Sequence, residues 1–360
     1  MQYKNNKRKI GLTGLMRVKD DAETLAQSID SCIDALDELI ITYNDCTDGS
    51  VQIIENKKLQ YSEKILVIPY SYHVFGVDSS VEEYEYAKTL PVGHPQLLAS
   101  YYNNALQYAN FKYVMKIDAD QIYYTEKLKT IREKILSGVD QKALGRLFGK
   151  LVNYFCQKRN CKRVRSKHHI LHWLQNVIVP LFRKQYVNYA LSELLKGNGY
   201  LSLSGVNVLK YNKRWYAPVG CKWEGGLWWS YMGAGDHLVF EADEHTEYFP
   251  WDYTNGKGKQ VLIERFEFPE KKTVFMLGFY WFHLKPMKKP LYDQCVSCYR
   301  EHPNSMIPVG ELSTITFNRL LNYLDKDNDY HYLYRRNFFN FVHILDKKSI
   351  KTNITQLNKM

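Results

Sequence analysis

Tyr113-Val-Met-Lys-Ile-Asp-Ala-Asp120 reads as a buried strand that runs into two carboxylates one residue apart. At a strand end both side chains can reach one exposed spot, where like charges repel unless a cation joins them. Hard oxygen donors in such a pair suit Mg2+ or Mn2+. An ion held there would bridge the two phosphates of a nucleoside diphosphate and neutralise it as it departs. A loop with two solvated aspartates is the plain alternative, and the residues upstream bear on the choice.

Working back from Tyr113, strand and helix signals alternate. Ile10 to Met16 reads as a strand. Asp20 to Leu36 reads as a helix, with Leu25, Ile29, Cys32, Ile33 and Leu36 near a 3.6-residue period. Glu38 to Tyr43 is a short buried strand, Ser50 to Lys58 a helix, Lys64 to Ile68 a strand and Pro95 to Ala109 a helix. This rhythm predicts an α/β fold with a mostly parallel central sheet flanked by helices. Ligands of such sheets lie beyond the carboxyl ends of the strands. The polar clusters Arg17 to Asp21, Asn44 to Asp48 and Asp118 to Asp120 fall at those ends.

Downstream, the rhythm breaks between Asp140 and Glu193. That stretch holds eleven Lys and Arg and no Asp or Glu, which accounts for the entire net charge of +11. Its basic residues (Lys158, Arg159, Lys162, Arg163, Arg165, Lys167) are interleaved with Phe148, Tyr154, Phe155, Trp173 and Phe182. Such a segment suits anionic lipid, nucleic acid or no partner at all. Strand character returns at Ser202 to Leu209 and is strong at Val274 to Leu284, and helices are expected from Leu312 onward. The seven cysteines include one CxxC, Cys295 and Cys298, with no second pair to complete a zinc site. No signal-type segment and no apolar run of the roughly 18 residues needed to span a membrane is visible. A reducing, cytoplasmic setting is therefore expected, with peripheral contact at the inner face of the cell membrane through residues 141–192.

Three further groups carry chemistry. Asn44 and Asp45, delivered by the strand Glu38 to Tyr43, can hydrogen-bond a nucleotide base, while Asp48 fits a helix cap. Gly233-Ala-Gly-Asp236 reads as a small-residue loop before a helix starting at His237, with Asp236 as a helix cap or a general base. Glu224 and Asp243 are rival bases. Trp223, Trp228 and Trp229 offer flat faces for a sugar, or ordinary core packing.

In order and spacing these motifs resemble family 2 glycosyltransferases. Met16-Arg17-Val18-Lys19-Asp20 is similar to their first strand-to-loop, Asp37 to Ser50 to their nucleotide-recognition turn, and Asn103-Asn104 to the helix before their metal motif. The resemblance covers the chain to about residue 125 and is weak beyond. Tyr43-Asn44 stands where the family often has paired acids. The resemblance implies a GT-A (Rossmann-like) catalytic domain over residues 1–310, with a basic aromatic insertion at 141–192 and a C-terminal helical extension at 311–360. It implies transfer of a sugar from a nucleotide-diphosphate sugar to a glycan or lipid-linked saccharide acceptor, with inversion and with Mn2+ or Mg2+ as cofactor. On this reading Asp236 is the catalytic base, and Arg17, Asn44, Asp45, Asp48, Asn104, Asp118 and Lys285 surround the donor. Asp118, Asp120 and His283 hold the metal, and Trp223, Glu224 and Trp228 meet the acceptor. A retaining transferase, kept open by His283 and Lys285, and a basic nucleic-acid-binding protein are the alternatives.

Overall fold

The computed structural model describes residues 8–76, 79–160, 176–218, 222–223, 226–227, 231–254, 259–267, 272–289, 291–314 and 332–358. In chain order the first elements are β1 (Lys9–Val18), α1 (Leu25–Cys32), β2 (Glu38–Tyr43), α2 (Ser50–Gln60), β3 (Ile65–Pro69), α3 (Val81–Thr89), α4 (Leu98–Leu106) and β4 (Phe111–Asp118). Then come β5 (Gln121–Tyr123), α5 (Thr125–Ser137), α6 (Ala143–Asn160), α7 (Arg183–Leu195), β6 (Gly199–Asn207), β7 (Leu209–Tyr211) and β8 (Arg214–Pro218). The last are β9 (Lys222–Trp223), β10 (Gly226–Leu227), β11 (Tyr231–Glu241), β12 (Glu247–Thr254), β13 (Gln260–Glu267), β14 (Thr273–His283), α8 (Leu291–Glu301), β15 (Met306–Pro308) and α9 (Tyr332–Leu357). The chain divides into two compact units.

The first unit comprises Met1–Gln121, Glu224–Gly226 and Phe240–Lys272. Its strands run in the order β3-β2-β1-β4, all parallel. The central residues of β1, β2 and β4 are mainly apolar and buried, as expected where helices cover both faces of a sheet. The connection order moves outward from β1 to β3 and then jumps back to place β4 on the other side of β1. That reversal leaves a crevice between the carboxyl ends of β1 and β4, the usual ligand position in an open parallel sheet. The predicted helix from Asp20 to Leu36 is shorter than expected. Asp20 adopts φ 54°, which no helix tolerates, so α1 starts at Leu25 and tightens into a 3-10 turn over Ile33–Ala35. An antiparallel hairpin of β12 and β13 completes this unit. Asn103 of α4 clamps it, donating from Nδ2 to the Tyr248 carbonyl and accepting the Tyr248 amide on Oδ1, both at 2.8 Å.

The second unit comprises Ile122–Trp223, Leu227–Val239 and Thr273–Met360. Here β6 pairs antiparallel with β11 and parallel with β14, and β5 lies next to β14. A small sheet of β15, β8 and β7 packs beside α8, with Leu209, Tyr216, Leu291, Val296 and Met306 buried together. Cys295 belongs to this cluster and Cys298 packs against it, so the CxxC contributes to a core. Both are free thiols. Residues 143–160 and 183–195 of the basic segment are helical. Gly149 lets them approach closely, since a Cβ there would lie 2.4 Å from that of Tyr189.

Asp346 ties three further elements of this unit together. It interrupts α9 with φ −149°, is almost wholly buried, and accepts the Phe279 amide of β14 at 3.0 Å. Lys127 of α5 and Arg183 of α7 both pair with it, the latter at 2.6 Å. Gly278 has φ 103° and makes room, because a Cβ would meet the Asp346 carboxylate at 2.5 Å.

Burial, helped by the neighbouring Arg183 charge and opposed by Asp346, pulls the Lys127 ammonium down to about 8 from an ordinary 10.5. Between those values the unfolded chain binds a proton that the folded chain does not, so stability rises with pH. The opposite sign applies to buried acids. Burial pushes the Cys32 thiol above its ordinary 9.0, and Tyr102 up to about 12 from 10.0, so the unfolded chain loses those protons first. We expect stability to climb from about pH 8 and to fall again above pH 10, read as urea midpoints across that range.

Candidate functional site

The crevice at the β1–β4 reversal holds the strongest group of predicted residues. In the parallel register Arg17 of β1 lies opposite Asp118 of β4 and opposite Thr42 of β2. Asn44 follows immediately after β2, its amide donating to the Val18 carbonyl at 3.4 Å. Arg17, Asn44 and Asp118 therefore occupy adjoining strand ends. The turn beyond Asp118 is held from below by two hydroxyls. Ser28 Oγ donates to the Asp118 carbonyl at 3.0 Å and Thr24 Oγ1 to the Ala119 carbonyl at 3.1 Å. Gln121, fully buried, donates from Nε2 to Asp118 Oδ2 at 3.0 Å. Asp120 is also mostly buried. A pair of carboxylates fixed by its own backbone loses little entropy when it takes a ligand.

Arg17 stays charged. Burial works against its guanidinium, but Tyr102, Glu264, Tyr101 and Asp118 outweigh that and hold its proton more tightly than in water. Its guanidinium carbon lies 5.6 Å from the centre of the Tyr102 ring. Lys116 approaches the same ring at 5.4 Å and pairs with Glu264 Oε1 at 3.1 Å, with both side chains mostly buried. Lys116, Tyr102 and Glu264 escaped the sequence reading. Lys116 was recoverable, since alternation along a strand places it on the face of Asp118. Glu264 was not, being 148 residues away in the chain.

The turn after β2 divides the labour of its polar residues. Asn44 is buried and donates to Asp45 Oδ2 at 3.2 Å. Asp45, at φ 47°, also meets His73 Nδ1 at 2.7 Å, and His73 Nε2 lies 3.5 Å from Glu83. The N-cap of α2 is Gly49, and Asp48, one residue before it, steadies the turn by accepting the Ser50 amide and ties down the loop after β1 by accepting the Ala22 amide, each at 2.9 Å. Its slight burial is outweighed by these bonds and by Ser50, which hold its carboxyl below the ordinary range. Asn104 is half-exposed and accepts from Gln107 Nε2 at 2.8 Å, whereas its neighbour Asn103 is the structural clamp.

In the second unit, the loop-then-helix expected at Asp236 is corrected. Residues 231–241 are the strand β11. The pairing with β6 slips between Met232 and His237, so Gly233-Ala-Gly-Asp236 forms an irregular stretch within the strand. The apolar run Leu238-Val-Phe240 favours strand over helix, and the small residues before it allow the bulge. His283 closes β14 and is buried, its Nδ1 at 2.7 Å from Asn207 Oδ1. Lys285 is exposed on the 3-10 turn Lys285–Met287. Trp223 lies in β9, while Glu224, Trp228 and Trp229 lie outside the described residues. Among the described residues no three His, Cys, Asp or Glu side chains gather into a group able to hold a metal ion. Nor does any described helix have the length and apolarity to cross a membrane.

Residues 2–136 match the family model described as Beta-1,4-N-acetylgalactosaminyltransferase (CgtA). No curated protein matches the chain. Among solved structures, S. aureus TarS 1–349 in complex with UDP-GlcNAc is 17% identical, covers 34% of this chain and 30% of its own, and gives a TM-score of 0.24. Glucosyl-3-phosphoglycerate synthase from Mycobacterium tuberculosis, crystallised with Mn2+, UDP and glucosyl-3-phosphoglycerate, is 15% identical. It covers 36% of this chain and 40% of its own, with a TM-score of 0.23. The chain thus spans less than half the length of either protein. The family match takes in all four parallel strands of the first unit together with Asp118 and Asp120. That part of the chain is thus similar to a glycosyltransferase family, on a parallel α/β sheet.

Proposed function

From this similarity we propose that the chain moves a sugar from a nucleotide-diphosphate sugar to a glycan or lipid-linked saccharide acceptor. The observation that carries the reading is the register of Arg17 against Asp118 at the strand reversal, which sets a held cation beside a carboxylate pair where such sheets bind ligands. Asp118 and Asp120 would be the protein's oxygen donors to a Mg2+ or Mn2+ ion. Two carboxylates fit a hard cation that completes its shell with phosphate oxygens and water. When bound, that ion would offset the charge of the departing diphosphate. Arg17 adds a fixed positive charge at the same edge, and Asn44 and Asp45 present polar groups to the nucleoside. Asp48, Asn104 and Lys285 are further donor contacts on this proposal, while His283, engaged with Asn207, does not gather with the two aspartates into a three-ligand group.

The transfer balances as a displacement. An acceptor hydroxyl oxygen bonds to the anomeric carbon, the bond from that carbon to the diphosphate oxygen breaks, and a base takes the hydroxyl proton. Asp236 is the proposed base, and Trp223, Glu224 and Trp228 the proposed acceptor contacts. The family description names N-acetylgalactosamine and a β-1,4 linkage. A β product from an α-linked donor is an inversion, which supports the single-displacement reading. The test is to incubate the chain with UDP-N-acetylgalactosamine, other nucleotide sugars and a panel of saccharide acceptors. The expected result is a new glycoside whose anomeric proton coupling shows the β configuration. Donor hydrolysis without any glycoside, for every donor and acceptor, would overturn the reading, and an α product would overturn inversion.

A further inference from the structure

The apolar stripe of α6 faces away from the core of its own unit. Val152 and Phe155 are buried, and Gly149 is the point of close approach to α7, so one side of α6 is spoken for. Gln141 Nε2 donates to the Gln185 carbonyl at 2.9 Å, and Arg146 pairs with Glu193 at 3.2 Å, fixing the same side. Leu144, Leu147, Leu151 and Tyr154 recur at helical spacing on the other side, and all are exposed, Leu144 to 64% and Leu147 to 61%. The helical stretch 176–181 extends this surface. Its Val177 and Leu181 are exposed, Leu181 to 67%, and Phe182 stacks on Phe148 of α6 with centroids 4.0 Å apart. Lys142 and Lys150 are exposed nearby.

We propose that this face docks onto an anionic lipid bilayer, with the leucines entering the boundary between headgroups and acyl chains. Charge complementarity selects the occupant. Residues 141–192 carry eleven Lys and Arg and no acid, so a second copy of the chain would be repelled while an anionic leaflet is attracted. Nucleic acid would satisfy the charge but not the stripe, because it is gripped by aromatic platforms and cations rather than by exposed aliphatic side chains. A helix with an apolar stripe and basic flanks lies in the plane of an interface, its lysine stems reaching out to the phosphates. The arrangement goes beyond sugar transfer, and it stands or falls without it.

The test is co-sedimentation of the full chain with vesicles of phosphatidylcholine alone and of phosphatidylcholine mixed with phosphatidylglycerol. The expected result is pelleting with the mixed vesicles, weakening with salt. A Leu144→Ser, Leu147→Ser, Leu151→Ser variant should bind at least about tenfold less while keeping its melting temperature, because these side chains are already in water. Lys142→Glu with Lys150→Glu should lose the preference for phosphatidylglycerol. Pelleting of the triple variant at the wild-type level would overturn the proposal. So would the wild type ignoring mixed vesicles, whether or not it retards an oligonucleotide in a gel.

Discussion

Asp120→Asn is expected to lower kcat for sugar transfer by about 10²- to 10³-fold, the size seen when one group stabilising a developing charge is removed. The substitution keeps the shape of the side chain and removes only its charge. Asp120 sits on a turn whose backbone is fixed independently, by Thr24 and Ser28 holding the carbonyls of Ala119 and Asp118. The fold should therefore survive, with a melting temperature within about 2 °C of wild type. The loss should fall on kcat more than on KM for the acceptor, since in the proposed role the carboxylate serves the leaving diphosphate. Asp118→Asn should behave alike. Its partner Gln121 Nε2 can still donate to an amide oxygen, so the residue keeps its position without its charge. Steady-state kinetics beside a thermal melt checks both variants, and a variant retaining more than a tenth of wild-type kcat would remove that aspartate from the chemistry.

Asp346→Ala is expected to cost the protein about 3–5 kcal/mol, the usual consequence of removing one member of a buried ion cluster. The carboxylate serves Lys127, Arg183, the Phe279 amide and Ser349 Oγ, and is itself almost wholly buried. Deleting it leaves the mostly buried Lys127 and the partly exposed Arg183 without their anion and strips α9 of its tie to β14. At the scale of a domain this size the melting temperature should fall by about 10 °C. Asp346→Asn should cost less, because it can still accept the Phe279 amide. Urea unfolding of the two variants checks the order, and an Asp346→Ala protein as stable as wild type would contradict the description of this cluster.

The sequence announces its parallel half and hides much else, for physical reasons. Strands β1, β2 and β4 are short apolar runs between turn residues, and their polar ends announce the crevice. Local pattern suffices there because each strand is buried on both faces. The helix expected at Asp236 failed because Gly233-Ala-Gly-Asp236 looks like a loop with a cap, whereas pairing to β6 decides its state through residues more than 25 positions upstream. The Lys116–Glu264 pair is invisible for the same reason, as a contact made by tertiary folding. Asn103 and Asn104 illustrate a subtler limit. Both carried the resemblance, with Asn104 read as the donor contact, and only the structure shows that Asn103 clamps Tyr248 while Asn104 is half-exposed.

In the proposed site a nucleoside diphosphate is held at Asp118 and Asp120 together with a divalent cation. Thermal melts of the wild type and of Asp120→Asn, each with UDP, with Mn2+, and with both, test it most directly, because a ligand that binds only the folded chain raises its melting temperature. The expected result is a rise for the wild type that needs UDP and Mn2+ together and is lost in Asp120→Asn. An equal rise with UDP alone, or an undiminished rise in Asp120→Asn, would contradict it.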